Sequence, residues 1–264
     1  MGDARLEDAL QSLAVQTRRD FEVIVVDMSG GGHAAALAHF ATVLPSLRIV
    51  ALPPSARPAA LNAGIAAAAA PVIGILDHDN LYDPEQVDLF LNGLASTNAD
   101  YVYTGVDEAT YTRDGRWMAS RRTGRPFSFD DLVGGNYIHA TGSAFLRSLW
   151  ERVGGYDPRF DVLEDWDFLL RAAGVGTISY LGCVAGESRK FTGIEGRSMF
   201  ELETASVRRC KAGIYWKHRR LYLRQFIRRM SGPNPLRRAR RALTHLRGLG
   251  AWLVHNLRND SRSH

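Results

Sequence analysis

The sequence predicts an α/β protein: a sandwich of helices around a mainly parallel sheet, followed by a basic helical tail. Three observations carry this. Short runs rich in Val and Ile, FEVIVV at 21–26 with Glu22 its one charge and the uncharged VIGIL at 72–76, have the composition of strands buried on both faces. Between such runs lie stretches whose apolar residues recur at helical spacing, the alternation of strand and helix that builds parallel sheets. The charge also divides sharply. Residues 204–264 hold sixteen of the 33 Lys and Arg and one of the 28 acids, a balance of +15, which leaves 17 bases and 27 acids, or −10, in 1–203. Two modules follow, 1–203 and 204–264.

The elements are read in order. Leu6, Leu10, Leu13 and Ala14 predict a helix over 4–15, and 21–26 a strand ending at Asp27. Ser29-Gly30-Gly31-Gly32 is a turn before an alanine-rich helix at 33–43. A strand at 47–52 is broken by Pro53-Pro54, and 57–69 is helical. The strand at 72–76 runs into Asp77-His78-Asp79. A helix at 85–96 and a strand at 101–106 follow, then a hairpin turn at Asp114-Gly115 and a basic loop over 116–125. Gly134-Gly135-Asn136 is a loop leading to 138–146, and Gly154-Gly155-Tyr156-Asp157 is a turn. A helix at 163–173 opens on Glu164-Asp165-Trp166-Asp167, acids where a helix N-terminus favours them, and 177–181 is a last strand. Beyond 204, two basic amphipathic helices flank Pro233-Asn234-Pro235.

Composition narrows the function classes. No run of eighteen apolar residues predicts a membrane span, and MGDARLEDAL lacks the basic-then-apolar pattern of a secretory signal. Cys183 and Cys210 are far apart and without metal-ligand spacing, so the cytoplasm is the expected compartment. The acidic cluster at 77–79 stands at the carboxyl end of a buried strand, where open α/β sheets bind ligands. Two carboxylates that close repel unless a cation or donors neutralise them, which points to a divalent metal shared with a phosphate-bearing ligand. An Asx turn leading to a helix cap at Asp83 accounts for the same residues.

Four features stand in order: Asp27 after a strand, Asn62-Ala63-Gly64 in a helix, Asp77-His78-Asp79 after a strand, and Glu164-Asp165 opening a helix. With the segments QTRRDFEVIVVD, ALNAGIAAAAAPVIGILDHDN, GSAFLRSLWERVGGYDPRF and LEDWDFLLRAAG, this set resembles glycosyltransferase family 2 over roughly the first 190 residues. That family comprises inverting nucleotide-sugar-dependent enzymes of GT-A fold, a Rossmann-like three-layer α/β/α sandwich. The resemblance implies a hexosyltransferase-type enzyme. It implies that Asp27 contacts the nucleotide base, that Asn62 and Asp77 lie at the nucleotide sugar, and that Asp77 and Asp79 hold Mn²⁺ or Mg²⁺ on the diphosphate. It implies Asp165 as general base, with Glu164 and Trp166 orienting the acceptor, a glycan or lipid-linked sugar. The chemistry asks for these groups on its own account: a metal to stabilise the leaving diphosphate and a carboxylate to take the acceptor proton. Each has a plainer role available, as turn chemistry for Asp27, helix-dipole acids for Glu164 and Asp165, packing for Trp166, and backbone satisfaction for Asn62.

The sequence also departs from the family. The usual first strand, central in the sheet, is not visible, and Met28, Asn80 and Leu61 stand where two acids and an Arg are frequent. A catalytically inactive binding or scaffold module of the same fold is therefore one alternative. A nucleotidyltransferase is another, although no Gly-rich phosphate loop is visible. The basic tail fits an in-plane anchor on an anionic membrane surface better than a nucleic-acid contact, giving a peripheral location on the inner face of the cell membrane; a helical appendage packed on the catalytic domain is the plainer account.

Overall fold

The Val- and Ile-rich runs form strands, but shorter and more open ones than their composition suggests. In the computed structural model, residues 4–192 and 205–230 are described. The order is α1 (Ala4–Ala14), β1 (Val23–Asp27), α2 (Ala34–Phe40), β2 (Leu47–Ala51), α3 (Arg57–Ala67), β3 (Val72–Gly74) and α4 (Gln86–Thr97). Then come β4 (Tyr101–Tyr111), β5 (Trp117–Arg122), α5 (Phe129–Gly134), β6 (Ser143–Leu146), α6 (Arg147–Val153), α7 (Glu164–Ala172), β7 (Ile178–Phe191), α8 (Ala205–Lys217) and α9 (Arg219–Met230).

The three-layer α/β architecture is the expected one, and its strand pairing is mixed. β1 pairs parallel with β2, and β4 with β7, while β6 lies antiparallel between β3 and β4, and β5 antiparallel on β4. Helices cover both faces. Leu6 and Leu10 of α1 and Leu37 and Phe40 of α2 pack on Val23, and Phe90 and Leu94 of α4 on Val102 and Ala144. On the other face α3, α5, α6 and α7 enclose the main core, which includes Ile65, Phe145, Leu149, Phe168 and Leu169. Gly64 lets α3 approach β1: a Cβ there would stand 3.0 Å from Val26 Cγ2.

Several elements differ from the pattern-based reading for identifiable reasons. Residues 116–125 contain a strand, β5, whose six residues are all exposed; without a buried face it has no alternation to read, and it is held by its ladder to β4. β7 continues ten residues past the expected end at 181, because Gly182 and Gly186, at φ 75 and 79, accommodate bulges in the β4–β7 register. The short helices α5 and α6 span fewer than two helical turns. Ser128 caps α5 by accepting from Asp131 N at 3.2 Å.

The proposed division at 203/204 does not coincide with a break in packing. Cys210, Ile214, Tyr215 and Tyr222 join the main core, with Tyr215 edge-on to Trp166 at 5.7 Å. Lys217 Nζ bonds Asp157 and Asp167, and His218 Nε2 lies 2.8 Å from Asp167. Residues 210–222 of the basic segment are thus an integral wall of the α/β unit. The second basic helix expected beyond Pro235 lies outside the described residues.

Between β1 and β3 the sheet is interrupted: β2-β1 and β3-β6-β4-β5 are separate sheets. Among the described residues no strand lies between them. A slot lined by both strands, α1 and α3 opens into one cavity of about 1590 Å³. This explains why β1 and β3 are only partly buried where burial on both faces was expected.

Candidate active site

The cavity's acidic end is built from the carboxyl end of β3 and the N-terminus of α7. Asp77, His78 and Asp79 follow β3 after Ile75 and Leu76, and Glu164 and Asp165 open α7, with all five lining the cavity. Leu163, just before α7, has φ 63, a left-handed conformation costly for a branched side chain. Such strain is kept where the surrounding structure needs it, and here it directs Glu164 and Asp165 into the site.

Arg57, the first residue of α3, ties these segments together. Its Nη2 donates to Asp77 Oδ1 at 2.7 Å and its Nε to the same oxygen at 3.2 Å, while Nη1 bonds Glu164 Oε1. Burial lowers the guanidinium's proton affinity, but the Asp77 carboxylate more than reverses this, so Arg57 stays charged. Glu164 is 3% exposed, and this ion pair engages its Oε1. It holds Arg57 through Oε1 while lining the cavity.

Asp165 is held differently. Asn136 Nδ2 donates to its Oδ2 at 2.9 Å and Trp166 N to its Oδ1 at 2.7 Å. Burial raises its pKa above the ordinary carboxylate value, Arg57 opposing and Asp77 adding to the rise. A carboxylate oriented by two neutral donors and raised in basicity is suited to accept a proton. Asp79 is raised too, by burial first, with His78 opposing and Asp77 contributing. It takes no side-chain hydrogen bond or ion pair among the described residues. A carboxylate so placed beside Asp77 fits a divalent cation. Among the described residues no cluster of three or more His, Cys, Asp and Glu could hold a metal by itself, so a cation here would need ligand phosphates and water to complete its shell.

Three expected residues lie outside this constellation. Trp166 is 2% exposed, donates from Nε1 to Leu132 O at 2.7 Å and packs on Tyr215. It is a core residue and offers no face to a sugar. Asn62 spends its amide on the turn after α6: Nδ2 donates to Tyr156 O at 2.8 Å, and Oδ1 accepts from Tyr156 N at 2.8 Å and Trp150 Nε1 at 3.1 Å. It braces the site without lining it. Asn62→Ala would leave those buried donors unpaired and should destabilise the protein by about 2–3 kcal/mol, read as a lower urea midpoint. Asp27 folds back on its own turn, accepting from Ser29 Oγ at 2.6 Å, Ser29 N at 2.8 Å and Gly31 N at 3.2 Å. These bonds, those from Ser29 foremost, hold its pKa below the usual value, and Met28 rather than Asp27 lines the cavity.

A second charged cluster forms the opposite wall. Glu108 of β4 accepts from Arg121 Nη2 of β5 at 2.6 Å, faces His139 Nε2 at 3.1 Å and lies 3.6 Å from Lys190 Nζ of β7. The His139 bond first, and then Arg121, against the cost of burial, draw its pKa down to about 2. Sequence patterns did not single out Arg57, Asn136, Glu108 or His139, because each meets its partner across a long sequence separation. Arg189 and Lys190, near the end of β7, line the same cavity, with Arg189 Nη1 paired to Asp8 at 2.7 Å.

Comparison with known proteins agrees with this geometry. The sequence model of the family described as Glycosyl transferase family 2 matches residues 3–153. The uncharacterized glycosyltransferase YwdF of Bacillus subtilis is 27% identical over 170 residues, 63% of this chain and 62% of that protein. An uncharacterized protein y4gI of Sinorhizobium fredii is 27% identical over 172 residues, 64% of this chain and 18% of that one. The fold is similar to that of S. aureus TarS residues 1–349. In complex with UDP its TM-score is 0.60 at 14% identity, covering 91% of this chain and 66% of that one; with UDP-GlcNAc the values are 0.58, 14%, 92% and 68%. The chain thus spans just under two thirds of the relative YwdF and of the UDP-bound TarS chain.

Proposed function

As the chain belongs to glycosyl transferase family 2, we propose that it transfers a sugar from a nucleoside diphosphate donor to a glycan or lipid-linked acceptor with inversion, Asp165 acting as general base. The observation that carries this is the convergence of Asp77, Asp79 and Asp165 on one cavity mouth, with Arg57 between two of the contributing segments. The UDP and UDP-GlcNAc bound to TarS support a nucleotide-sugar donor.

In this reading the donor diphosphate lies against Asp79 and Asp77. Mn²⁺ or Mg²⁺ held there supplies charge stabilisation for the departing diphosphate. Asp165, oriented by Asn136, takes the proton of the acceptor hydroxyl as its oxygen bonds the anomeric carbon and the nucleoside diphosphate leaves from the opposite side. A single displacement inverts the configuration. Arg57 fixes Asp77 relative to α7, so donor and base keep their separation. Asn62 and Trp166 act as supports behind this surface. Asp27 reaches the base only through the turn it organises. No described helix is long and apolar enough to cross a membrane. Exposed Leu223 beside Arg220 and Arg224 on α9 supports contact with an anionic membrane surface, for which an envelope acceptor would give a reason.

Calorimetric titration with UDP, GDP and dTDP, each with and without Mn²⁺, tests the donor site. One nucleotide should bind with metal dependence; no binding by the folded chain would contradict the reading. The pH dependence is specific as well. Asp165 must be ionised to act, so kcat/KM should fall on the acid side at a pH above the ordinary carboxylate range. Stability runs the other way. Asp79 and Asp165 are raised in the folded state, so their contribution is complete below their unfolded pKa and is withdrawn as pH rises through the folded values. Asn136→Ala should move the acid limb further up, as the ionised form loses a donor, which a pH–rate profile would read.

A further inference from the structure

We propose that His139 determines acceptor specificity: its Nδ1 accepts a hydrogen bond from the sugar hydroxyl next to the one that Asp165 deprotonates, so the acceptor class is a sugar with a free vicinal diol. This role rests on the reading of Asp165 as general base. The ring is held by Glu108 of β4, whose Oε1 lies 3.1 Å from Nε2. Glu108 is ionised and offers only lone pairs, so the proton of that bond sits on Nε2. In the neutral imidazole this tautomer leaves a lone pair on Nδ1. Nδ1 makes no hydrogen bond among the described residues, and the ring, 25% exposed, lines the cavity. Arg121 Nη2 at 2.6 Å and Lys190 Nζ at 3.6 Å already offset the charge of Glu108, so the carboxylate does not need a charged imidazole.

The loop that carries His139 is tied to both halves of the reaction site. At its start Asn136 Nδ2 donates to Asp165 Oδ2 at 2.9 Å, while Asn136 Oδ1 accepts from Ile138 N at 3.0 Å. At its end Thr141 Oγ1 accepts from Asn80 Nδ2 at 2.6 Å, and Asn80 N donates to Asp77 O at 3.1 Å. Between these ties Ile138 is buried in the main core, and His139 O accepts from Ser143 Oγ at 2.6 Å and Gly142 N at 3.2 Å. His139 therefore keeps a fixed place relative to the base and to the turn of Asp77 and Asp79, as a group that reads a substrate must. It also stands close enough to Asp165 that, after Arg57 and the Trp166 amide, it opposes the rise that burial causes there.

A lone pair backed by a carboxylate selects its ligand. It accepts from a hydroxyl, whereas an ionised phosphate or carboxylate brings only lone pairs of its own. The reacting hydroxyl reaches Asp165 from the cavity, and the sugar ring that bears it carries further hydroxyls. Adjacent pyranose hydroxyls leave the ring side by side, so one held at Asp165 sets its neighbour toward the 136–141 loop, where Nδ1 offers a lone pair without a partner. A site that hydrogen-bonds a substrate hydroxyl discriminates against the analogue lacking it, because its own polar group is then left unpaired.

NMR of the histidine ring nitrogens in the full chain tests this, with ¹⁵N-labelled histidine and His139 identified by the signals lost in His139→Ala. In the free protein Nε2 should carry the proton and Nδ1 the lone pair. Methyl α- and β-pyranosides of glucose, galactose, mannose and N-acetylglucosamine are then added with Mn²⁺ and each of UDP, GDP and dTDP, and assayed for glycosylation with the corresponding nucleotide sugars. At least one pyranoside should move the Nδ1 resonance toward its hydrogen-bonded position. Among the monodeoxy forms of that pyranoside, one should still be glycosylated, with kcat/KM at least ~10-fold lower, and should leave Nδ1 unmoved. In His139→Ala the same deoxygenation should cost less than ~2-fold, because the partner is gone. A proton on Nδ1 in the free protein, a resonance that no pyranoside moves, or an equal loss on deoxygenation in parent and variant overturns the proposal. A moved resonance with no product supports the hydroxyl contact and counts against the transfer reading alone.

Discussion

Asp165→Asn should lower turnover by ~10²–10⁴-fold while leaving donor binding close to that of the parent. The substitution preserves size and keeps an oxygen for one of the two donors, Trp166 N or Asn136 Nδ2, but removes the basicity that burial confers on the carboxylate. Loss in kcat without loss in nucleotide affinity separates a base from a structural residue. Asp167 two positions on is the control. It is fully buried and bonded to Arg171, Lys217 and His218, so Asp167→Asn should lower stability instead. Equal kinetic losses at both positions would remove Asp165 from the chemistry.

Asp79→Ala should abolish the metal-dependent part of nucleotide binding. Loss of a mere supporting group around a metal costs ~10–100-fold in affinity, and loss of a ligand should cost at least that. The fold itself should not suffer. Asp79 bonds no other side chain among the described residues, and its raised pKa marks a carboxylate whose charge burial disfavours. The variant should therefore match or slightly exceed the parent in thermal stability without metal. Asp77→Ala would behave differently, because it leaves Arg57 without its main partner. Destabilisation on Asp79→Ala without metal would show that the carboxylate is structural.

Much of this site was legible in the sequence because it depends on local grammar. An uncharged run ending in Asp77-His78-Asp79 places carboxylates at a strand's carboxyl end whatever surrounds it, and Glu164-Asp165 before an apolar helical run places acids in a first turn. What was not legible depends on contact at a distance. Arg57 reads as an ordinary helix start, yet it bridges Asp77 and Glu164, 20 and 107 residues away. Glu108 and His139 read as unremarkable polar residues on strand and loop until β4 and the 136–141 loop meet at the cavity. Trp166 shows the reverse error: an aromatic beside the acidic pair Glu164-Asp165 invites a ligand role, but helical spacing turns it toward α8 and away from the mouth. The basic segment misled for a related reason. Its net charge sets it apart in composition, whereas packing is decided by Cys210, Ile214, Tyr215 and Tyr222, few in number but all on the core side.

The most direct test of the central claim follows the reaction's stereochemistry. The nucleotide sugar selected by titration is incubated with the protein, Mn²⁺ and a panel of glycan and lipid-linked acceptors, and the anomeric proton coupling of the product is read by NMR as it forms. The account predicts a product of configuration opposite to the donor, nucleoside diphosphate released in equal amount, and neither with Asp165→Asn. A product that retains the donor configuration, or one formed equally by Asp165→Asn, would contradict it.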